Sequence, residues 1–315
     1  MNPSPSPRVL VVGSCSTDYI IRTSKLPEVG ETVTNGSFQQ TFGGKGANTA
    51  VAASKLGARV SFLGAFGGQA SALPIQQALT GYGLDLNGSF SFPEDESGAA
   101  LILVGPGGEN YISVAPGANH LLTAEHLRQR QDLFQNCGIV LLQNEIPRST
   151  NAEAIKLAKQ YQRPVVLNFA PAAADHFPLL GGVDYLIVNE VEAGQLLKTA
   201  GKVPPSDLRA LAPAIASMAS QWVVVTLGPE GVCAASQTGE VLSFPSYPVR
   251  AVDTTAAGDT FCGALAIALL EGSSMADALA FAQGAAAFSV TKPGCMVSSP
   301  TRSELEAFLL LHPAH

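Results

Sequence analysis

The chain has 315 residues, 46% of them hydrophobic and 14% charged, enough to bury a large core as one domain or one domain with a small accessory unit. A formal net charge of −7 without a basic cluster argues against nucleic acid or an anionic membrane as partner, and no apolar run approaches the roughly 20 residues that span a bilayer. Residues 1–7 read as a flexible Pro/Ser arm without signal-peptide features, and five cysteines with no C-x-x-C pair fit the reduced thiols of a cytoplasmic protein.

Residues 8–13 form a short apolar run that reads as a buried parallel strand opening into Ser14, Cys15, Ser16, Thr17 and Asp18. Polar residues just past such a strand stand where α/β sheets bind ligands. Asp18 can accept from both hydroxyls of a vicinal diol, and it can equally form a turn. Residues 19–42 alternate enough for strands around a connection at 26–33. Gly43-Gly44-Lys45-Gly46-Ala47-Asn48 then leads into a helical pattern over 49–56. Its glycines permit close backbone approach, and Lys45 and Asn48 can donate to hydroxyls or phosphate; the bland alternative is a glycine turn with a solvated lysine. The pattern G-x-x-x-x-G-K-[ST] is absent, which disfavours a P-loop, and Gly13-Ser14-Cys15-Ser16 does not continue into a dinucleotide-binding G-x-G-x-x-G.

A strand over 60–66 precedes the loop Gly67-Gly68-Gln69-Ala70-Ser71-Ala72-Leu73-Pro74. Residues 98–104 and 109–115 flank Gly105-Pro106-Gly107-Gly108 and read as a hairpin. From residue 121, helices at 124–134 and 150–161 alternate with buried strands at 138–142, 164–168, 184–188 and 222–226. That alternation predicts an α/β fold, a parallel sheet with helices on both faces. Glu145 follows one strand, and Asn189-Glu190-Val191-Glu192 follows another, where the acidic pair suits a first helical turn. Leu227-Gly228-Pro229-Glu230-Gly231 follows a third.

Ala251-Val252-Asp253-Thr254-Thr255-Ala256-Ala257-Gly258-Asp259-Thr260-Phe261 runs into an apolar stretch over 261–270 that reads as a buried helix. Asp259 falls in its first turn, and the amides of residues 256–259 point out of a helix N-terminus that attracts an anion such as phosphate. A base beside a phosphate cradle points to phosphoryl transfer onto a bound alcohol. On this motif alone, a helix cap and a catalyst stand equal. Helices at 276–290 and 303–311, joined by the loop 291–298, complete the chain.

Residues 253–261 resemble the second fingerprint of the ribokinase, or PfkB, family of sugar kinases, and Phe42-Gly43-Gly44-Lys45-Gly46-Ala47-Asn48 resembles its first. Two motifs in the expected order are far more specific than either alone, and the resemblance runs from Val9 to about Pro300. It implies a ribokinase-like fold: one α/β domain over 8–315, a mostly parallel central sheet with helices on both faces, and a small β-sheet lid inserted at about 17–42 and 97–116, through which the chain forms a homodimer. The implied activity is ATP-dependent phosphorylation of the 5-hydroxyl of D-ribose, with Asp259 as general base. Fructose, 2-keto-3-deoxygluconate or a nucleoside remain alternative acceptors, and a non-catalytic sugar or nucleotide sensor is the alternative outside enzymes.

By the same resemblance, Ser16, Asp18, Gly43, Gly44, Lys45, Asn48, Glu145 and Asp259 bind the sugar, with Ser16 where the family often has Asn. Ala256, Ala257 and Gly258 form the anion hole; Asn189, Glu192, Thr226, Gly228, Gly231 and Gly258 bind ATP, and residues 276–298 wall the adenine. Glu192 serves Mg²⁺, directly or through water, while Asp253, Thr255, Val290, Gly294 and Ser298 hold a monovalent cation, K⁺, mainly through carbonyl oxygens. The loop 67–74 departs from the family pattern, lacking its acidic residue and later glycine.

Overall fold

Alternation along the first strand divides the core in two. In β1 (Arg8–Val12), Val9 and Val11 enter one buried cluster and Leu10 and Val12 the other, as the two-residue period of a strand requires. The first cluster takes in α1 (Lys45–Lys55), α8 (Ala257–Leu270) and α9 (Met275–Ser289), and the second α5 (Arg148–Gln160), α6 (Glu190–Thr199) and α7 (Leu211–Ala216). Helices therefore cover both faces of one sheet. This computed structural model describes residues 8–107, 109–216 and 221–312, so the N-terminal arm at 1–7 and Gly108 of the hairpin turn lie outside the described residues.

The large sheet has eight strands in the order β14-β13-β12-β11-β10-β9-β1-β4. Its strands, besides β1, are β4 (Arg59–Leu63), β9 (Ile139–Gln143), β10 (Val165–Asn168), β11 (Tyr185–Asn189), β12 (Trp222–Thr226), β13 (Val232–Ser236) and β14 (Val241–Phe244). Strands β1, β4, β9, β10, β11 and β12 run parallel, and β13 and β14 add an antiparallel edge. The chain steps from β1 outward to β4 and then returns to β9 on the other side, so the order reverses at β1. Ligands of open α/β sheets bind beyond the strand C-termini at such a reversal.

A second sheet, β3-β2-β7-β8, is built from β2 (Ser16–Arg22), β3 (Ser37–Gly43), β7 (Gly98–Val104) and β8 (Asn110–Ala115). Every residue of β8 is exposed, and so are Phe38, Leu101 and Tyr111. Asn119 clamps this sheet to the large one: its carboxamide accepts from the Cys15 amide (3.1 Å) and donates to the Cys15 carbonyl (2.8 Å), between β1 and β2.

Several boundaries differ from the sequence reading. The strand expected over 60–66 breaks at Gly64 into β4 and a two-residue β5 (Ala65–Phe66), which pairs with β6 (Phe90–Ser91), because Ser89 bonds both the Gly64 amide and the Phe62 carbonyl. After α2 (Gln69–Gly81), the helix expected over 124–134 divides into α3 (Ala124–Arg128) and α4 (Gln131–Asn136). At the break, Arg130 turns to the Gly88 carbonyl and lies over the Phe90 ring. The strands β13 and β14 were not read from sequence; β13 is buried at all five positions and shows no polar alternation to betray it. The closing helix, α10 (Arg302–Leu311), begins one residue before the expected 303–311.

Helix α8 is the centre of this arrangement. All ten residues from 259 to 268 are buried, as expected of a helix apolar all round, and burying Phe261 alone is worth about 1.5–3 kcal/mol. Gly263 lets α1 approach: a Cβ there would lie 2.9 Å from the Thr49 carbonyl oxygen and 3.0 Å from Ala52 Cβ. Gly263→Val should therefore cost roughly 1–3 kcal/mol of stability through overpacking. Denaturant unfolding checks this, and an unchanged midpoint would mean that the two helices do not depend on that contact.

Candidate active site

Five successive parallel strands end at polar residues on one edge of the sheet. Ser14 follows β1, Glu145 follows β9, Asn168 ends β10, Asn189 ends β11 and Thr226 ends β12. Over this edge stand the N-termini of α1 and α8, carrying Lys45 and Asp259.

Asp259 is 4% exposed. Its Oδ2 accepts from Asn48 Nδ2 at 3.0 Å and its Oδ1 from Asn168 Nδ2 at 3.1 Å. Burial pushes the carboxyl above the usual range, opposed first by the Lys45 ammonium and then by Asn48. Lys45 in turn is held protonated, its pKa raised chiefly by Asp259. The oxygen of the Asn48 carboxamide, Oδ1, is buried with no partner, so this residue presents an unused acceptor beside Asp259.

The glycines of the first motif fit these neighbours. Gly44 caps α1 at φ +89°, and a Cβ there would lie 2.7 Å from Cys15 Cα. The helix thus starts at Lys45, four residues before the sequence pattern suggested. A Cβ on Gly43 would meet Asp18 Oδ2 at 2.2 Å, so only glycine lets that carboxylate lie against the loop. Glu145 Oε2 accepts from Ser14 Oγ (2.6 Å) and the Lys45 amide (2.9 Å), fastening the loop after β9 to the start of α1. Ser16 Oγ donates to Asp18 Oδ1 at 2.7 Å. Both residues are buried, and desolvation raises the Asp18 pKa to about 6.

At the mouth of α8, Ala256 adopts the left-handed region, φ 60°, ψ 13°, a strained state for a residue other than glycine. The expectation that all the first-turn amides point outward needs one correction. The Ala257 amide donates to the Thr254 carbonyl at 3.3 Å, because the turn entering the helix closes on itself. The first intrahelical bond is Thr260 N–H to the Ala256 carbonyl, so Gly258 and Asp259 come before it, and no atom lies within 4 Å of where a Gly258 Cβ would be.

Beside this mouth opens a cavity of about 460 Å³. Asn189, Thr226, Gly228, Gly231 and Gly258 line it, as does Val290. Apolar walls come from Ala286 and Ala287 of α9, and also from Tyr247 and Val249, in the segment after β14 that the sequence gave no reason to single out. Glu192 is not among the lining residues. It forms a reciprocal cap with Asn189, each side chain accepting from the other's amide, at 2.8 and 2.9 Å. Burial raises the Glu192 pKa, and Lys45 and Asp259 are both within electrostatic reach.

Among the described residues, no group of three His, Cys, Asp or Glu could hold a metal. A single carboxylate such as Glu192 suits Mg²⁺, which keeps several waters and is held largely by phosphate oxygens. Of the residues expected at a monovalent cation, Asp253, Thr255 and Gly294 meet in one corner. Asp253 Oδ1 accepts from the Thr255 amide and hydroxyl and Oδ2 from the Gly294 amide, which together outweigh burial and hold its carboxyl below the usual range. Val290 does not fit that set, because its carbonyl already accepts the Val252 and Asp253 amides at 2.7 and 3.2 Å. Ser298 is buried, its hydroxyl donating to the Cys295 carbonyl.

The departing loop at 67–74 is tied down. The Gly67 amide donates to Ser97 Oγ, the Ser97 amide donates to Ser71 Oγ, and Gln69, first residue of α2, is exposed.

The chain is similar to known proteins over nearly its whole length. The family model described as pfkB family carbohydrate kinase matches residues 6–302. A ribokinase of Bacillus subtilis is 38% identical over 301 residues, 96% of this chain and 99% of its own. The ribokinase structure from Thermotoga maritima superposes with a TM-score of 0.86 at 33% identity, covering 97% of this chain and 100% of its own. The Arabidopsis thaliana ribokinase complexed with ribose and ATP does so with a TM-score of 0.87 at 31% identity, covering 97% and 99%.

The buried Asp18 yields a test that needs no substrate. Its carboxyl binds the proton more tightly in the folded chain, about 6, than its ordinary value of 3.8, so the fold loses stability as pH rises through that interval. Asp18→Asn should be more stable than the parent at pH 8, by on the order of 1–3 kcal/mol, and the gain should vanish near pH 4. Urea unfolding at the two pH values checks it, and equal stability at both would mean Asp18 titrates normally.

Proposed function

The chain belongs to the pfkB family of carbohydrate kinases, and from that premise we propose that it is an ATP-dependent kinase transferring the γ-phosphoryl group to the 5-hydroxyl of D-ribose. The observation that carries the reading is Asp259: a buried carboxylate at a helix N-terminus, between Lys45 and the mouth of the cavity.

In this mechanism the sugar lies against Asp18, Gly43, Gly44, Lys45, Asn48 and Glu145, with the Ser16 hydroxyl fixing Asp18. The Asn48 Oδ1 atom, buried and unpartnered, accepts from a sugar hydroxyl. ATP occupies the cavity lined by Asn189, Thr226, Gly228, Gly231 and Gly258. The sugar hydroxyl gives its proton to Asp259 as its oxygen bonds the γ-phosphorus, and the bond from that phosphorus to the β-phosphate oxygen breaks to release ADP. The proton affinity of Asp259, raised by burial above that of an ordinary carboxylate, suits it to accept the proton. Lys45 and the amides at the start of α8, Ala256 and Gly258 with Ala257 supporting the turn, stabilise negative charge on the transferred group. Mg²⁺, served by Glu192, would neutralise phosphate charge. K⁺ would sit at Asp253, Thr255, Gly294 and Ser298, beside the turn that sets the α8 N-terminus.

The small sheet acts as a lid, since Asp18 and Gly43 belong to its strands, and excluding water protects ATP from hydrolysis. Its apolar residues are exposed on both faces: Ile112 and Val114 share the face of Asp18, Leu101 and Tyr111 the opposite one. Such an edge invites a second copy, so the working form is a homodimer. It resides in the cytoplasm, where five free buried cysteines stay reduced. Light scattering at assay concentration should give twice the chain mass, and a monomer would refute the lid-mediated dimer.

The decisive experiment is ADP release with Mg-ATP and K⁺ against ribose, fructose, 2-keto-3-deoxygluconate and adenosine. Ribose should be preferred, and Asp259→Asn should lower turnover by roughly 10²–10⁴-fold with ribose binding nearly intact. Wild-type turnover in that variant would sink the mechanism, and preference for another acceptor would move the substrate.

A further inference from the structure

Asp259 has two hydrogen-bond donors, and the mechanism above uses only one of them. Asn48 belongs to the glycine-rich motif and has its second carboxamide atom available to the sugar. Asn168 has no such place. It ends β10, in register with Gln143 of β9 and Ile187 of β11, so its backbone is fixed in the middle of the sheet. It is 8% exposed, and its amide reaches Asp259 Oδ1 while Asn48 reaches Oδ2.

We propose that Asn168 is a positioning residue for the proton acceptor: its amide, opposite that of Asn48, fixes the plane of the Asp259 carboxylate against the end of β10. The inference rests on reading Asp259 as the base. The torsion that turns a carboxylate is broad and roughly two-fold, so one donor holds one oxygen and leaves the plane able to swing. Donors on both oxygens, one from a helix and one from a strand, remove that freedom before the substrates arrive. Reaction geometry is sensitive to such placement, since the alcohol must approach the base and the phosphorus together. Both donors are neutral amides, which favour the charged carboxylate without adding a competing charge.

The prediction concerns where Asp259 titrates. Lys45 on α1, Glu145 after β9, Glu192 on α6 and the thiols of Cys262 and Cys295 are all within electrostatic reach of it. The carboxyl must therefore be identified directly. In protein labelled with ¹³C-aspartate, the Asp259 carboxyl resonance is the one lost in Asp259→Asn. Removing a donor to the ionised form should move its midpoint to higher pH by roughly one pH unit in Asn168→Ala, and further in the isosteric Asn168→Asp, which places a like charge beside it. In turnover on ribose, the acid limb of kcat/KM should move the same way. The rate of Asn168→Ala should fall about ten-fold at pH values below both midpoints and largely recover above them, with the ribose KM within two-fold of the parent.

A midpoint unchanged in these variants, or a rate loss equal at every pH, would overturn the proposal, because a merely structural asparagine would not couple to the proton. Should the alanine variant fail to fold, Asn168→Ser, which removes the amide without adding a charge, takes its place and decides by the same midpoint and pH profile. If the parent phosphorylates none of the sugars, the kinase reading fails, while the resonance titration still decides whether Asn168 holds Asp259.

Discussion

A carboxylate taken out of water at the start of a buried helix is the constraint to which the rest of the site answers. Asp259 has lost nearly all its solvent, and an uncompensated buried charge costs several kcal/mol. The protein offsets that cost with one ammonium, Lys45, and two carboxamides, Asn48 and Asn168, drawn from α1 and β10. Each of these must be held by its own element, so α1, α8 and the sheet have to be in place together. Gly263, which lets α1 and α8 touch, is thus as much a part of this arrangement as the carboxylate.

The sheet supplies the remaining order. Because β1, β9, β10, β11 and β12 run parallel, their polar ends converge on one edge, although the residues come from positions 14, 145, 168, 189 and 226. The small sheet is anchored to that edge through Asn119 and Cys15 and delivers Asp18 to it. The cavity at the mouth of α8 completes the edge, lined by Ala286 and Ala287 of α9, by Tyr247 and Val249, and by Asn189, Thr226 and Gly258.

Stability is spent at this edge. Asp18 is buried with a proton affinity far above normal, Ala256 sits in the left-handed region, and the Asn48 oxygen has no partner. Strained and unsatisfied groups of this kind cluster where a ligand will relieve them. The Asn189–Glu192 cap follows another rule, because one pair of residues both ends a strand and starts a helix while staying within electrostatic reach of Lys45. The helix-start and binding readings of that motif are therefore compatible.

The sequence by itself determined the alternation of helices and buried strands, the two glycine-bearing motifs and Asp259 in a first helical turn. Each of these is written in a short window, through hydrophobic period, turn residues or spacing. It also marked Asp18, Lys45, Asn48 and Glu145, though their meeting was implied only by resemblance. Tertiary structure alone decided what lies between distant windows. Asn168 looked like the last residue of a strand until β10 brought it to Asp259, 91 positions away. Val290 carried a carbonyl like any other until the Val252 and Asp253 amides occupied it, and the turn before α8 turned one expected outward amide, that of Ala257, inward. Tyr247 and Val249 became cavity walls only through the packing of the segment after β14 against α8 and α9. Local patterns record the conformational preferences of neighbouring residues, whereas the partner of a buried polar atom is chosen by the fold as a whole.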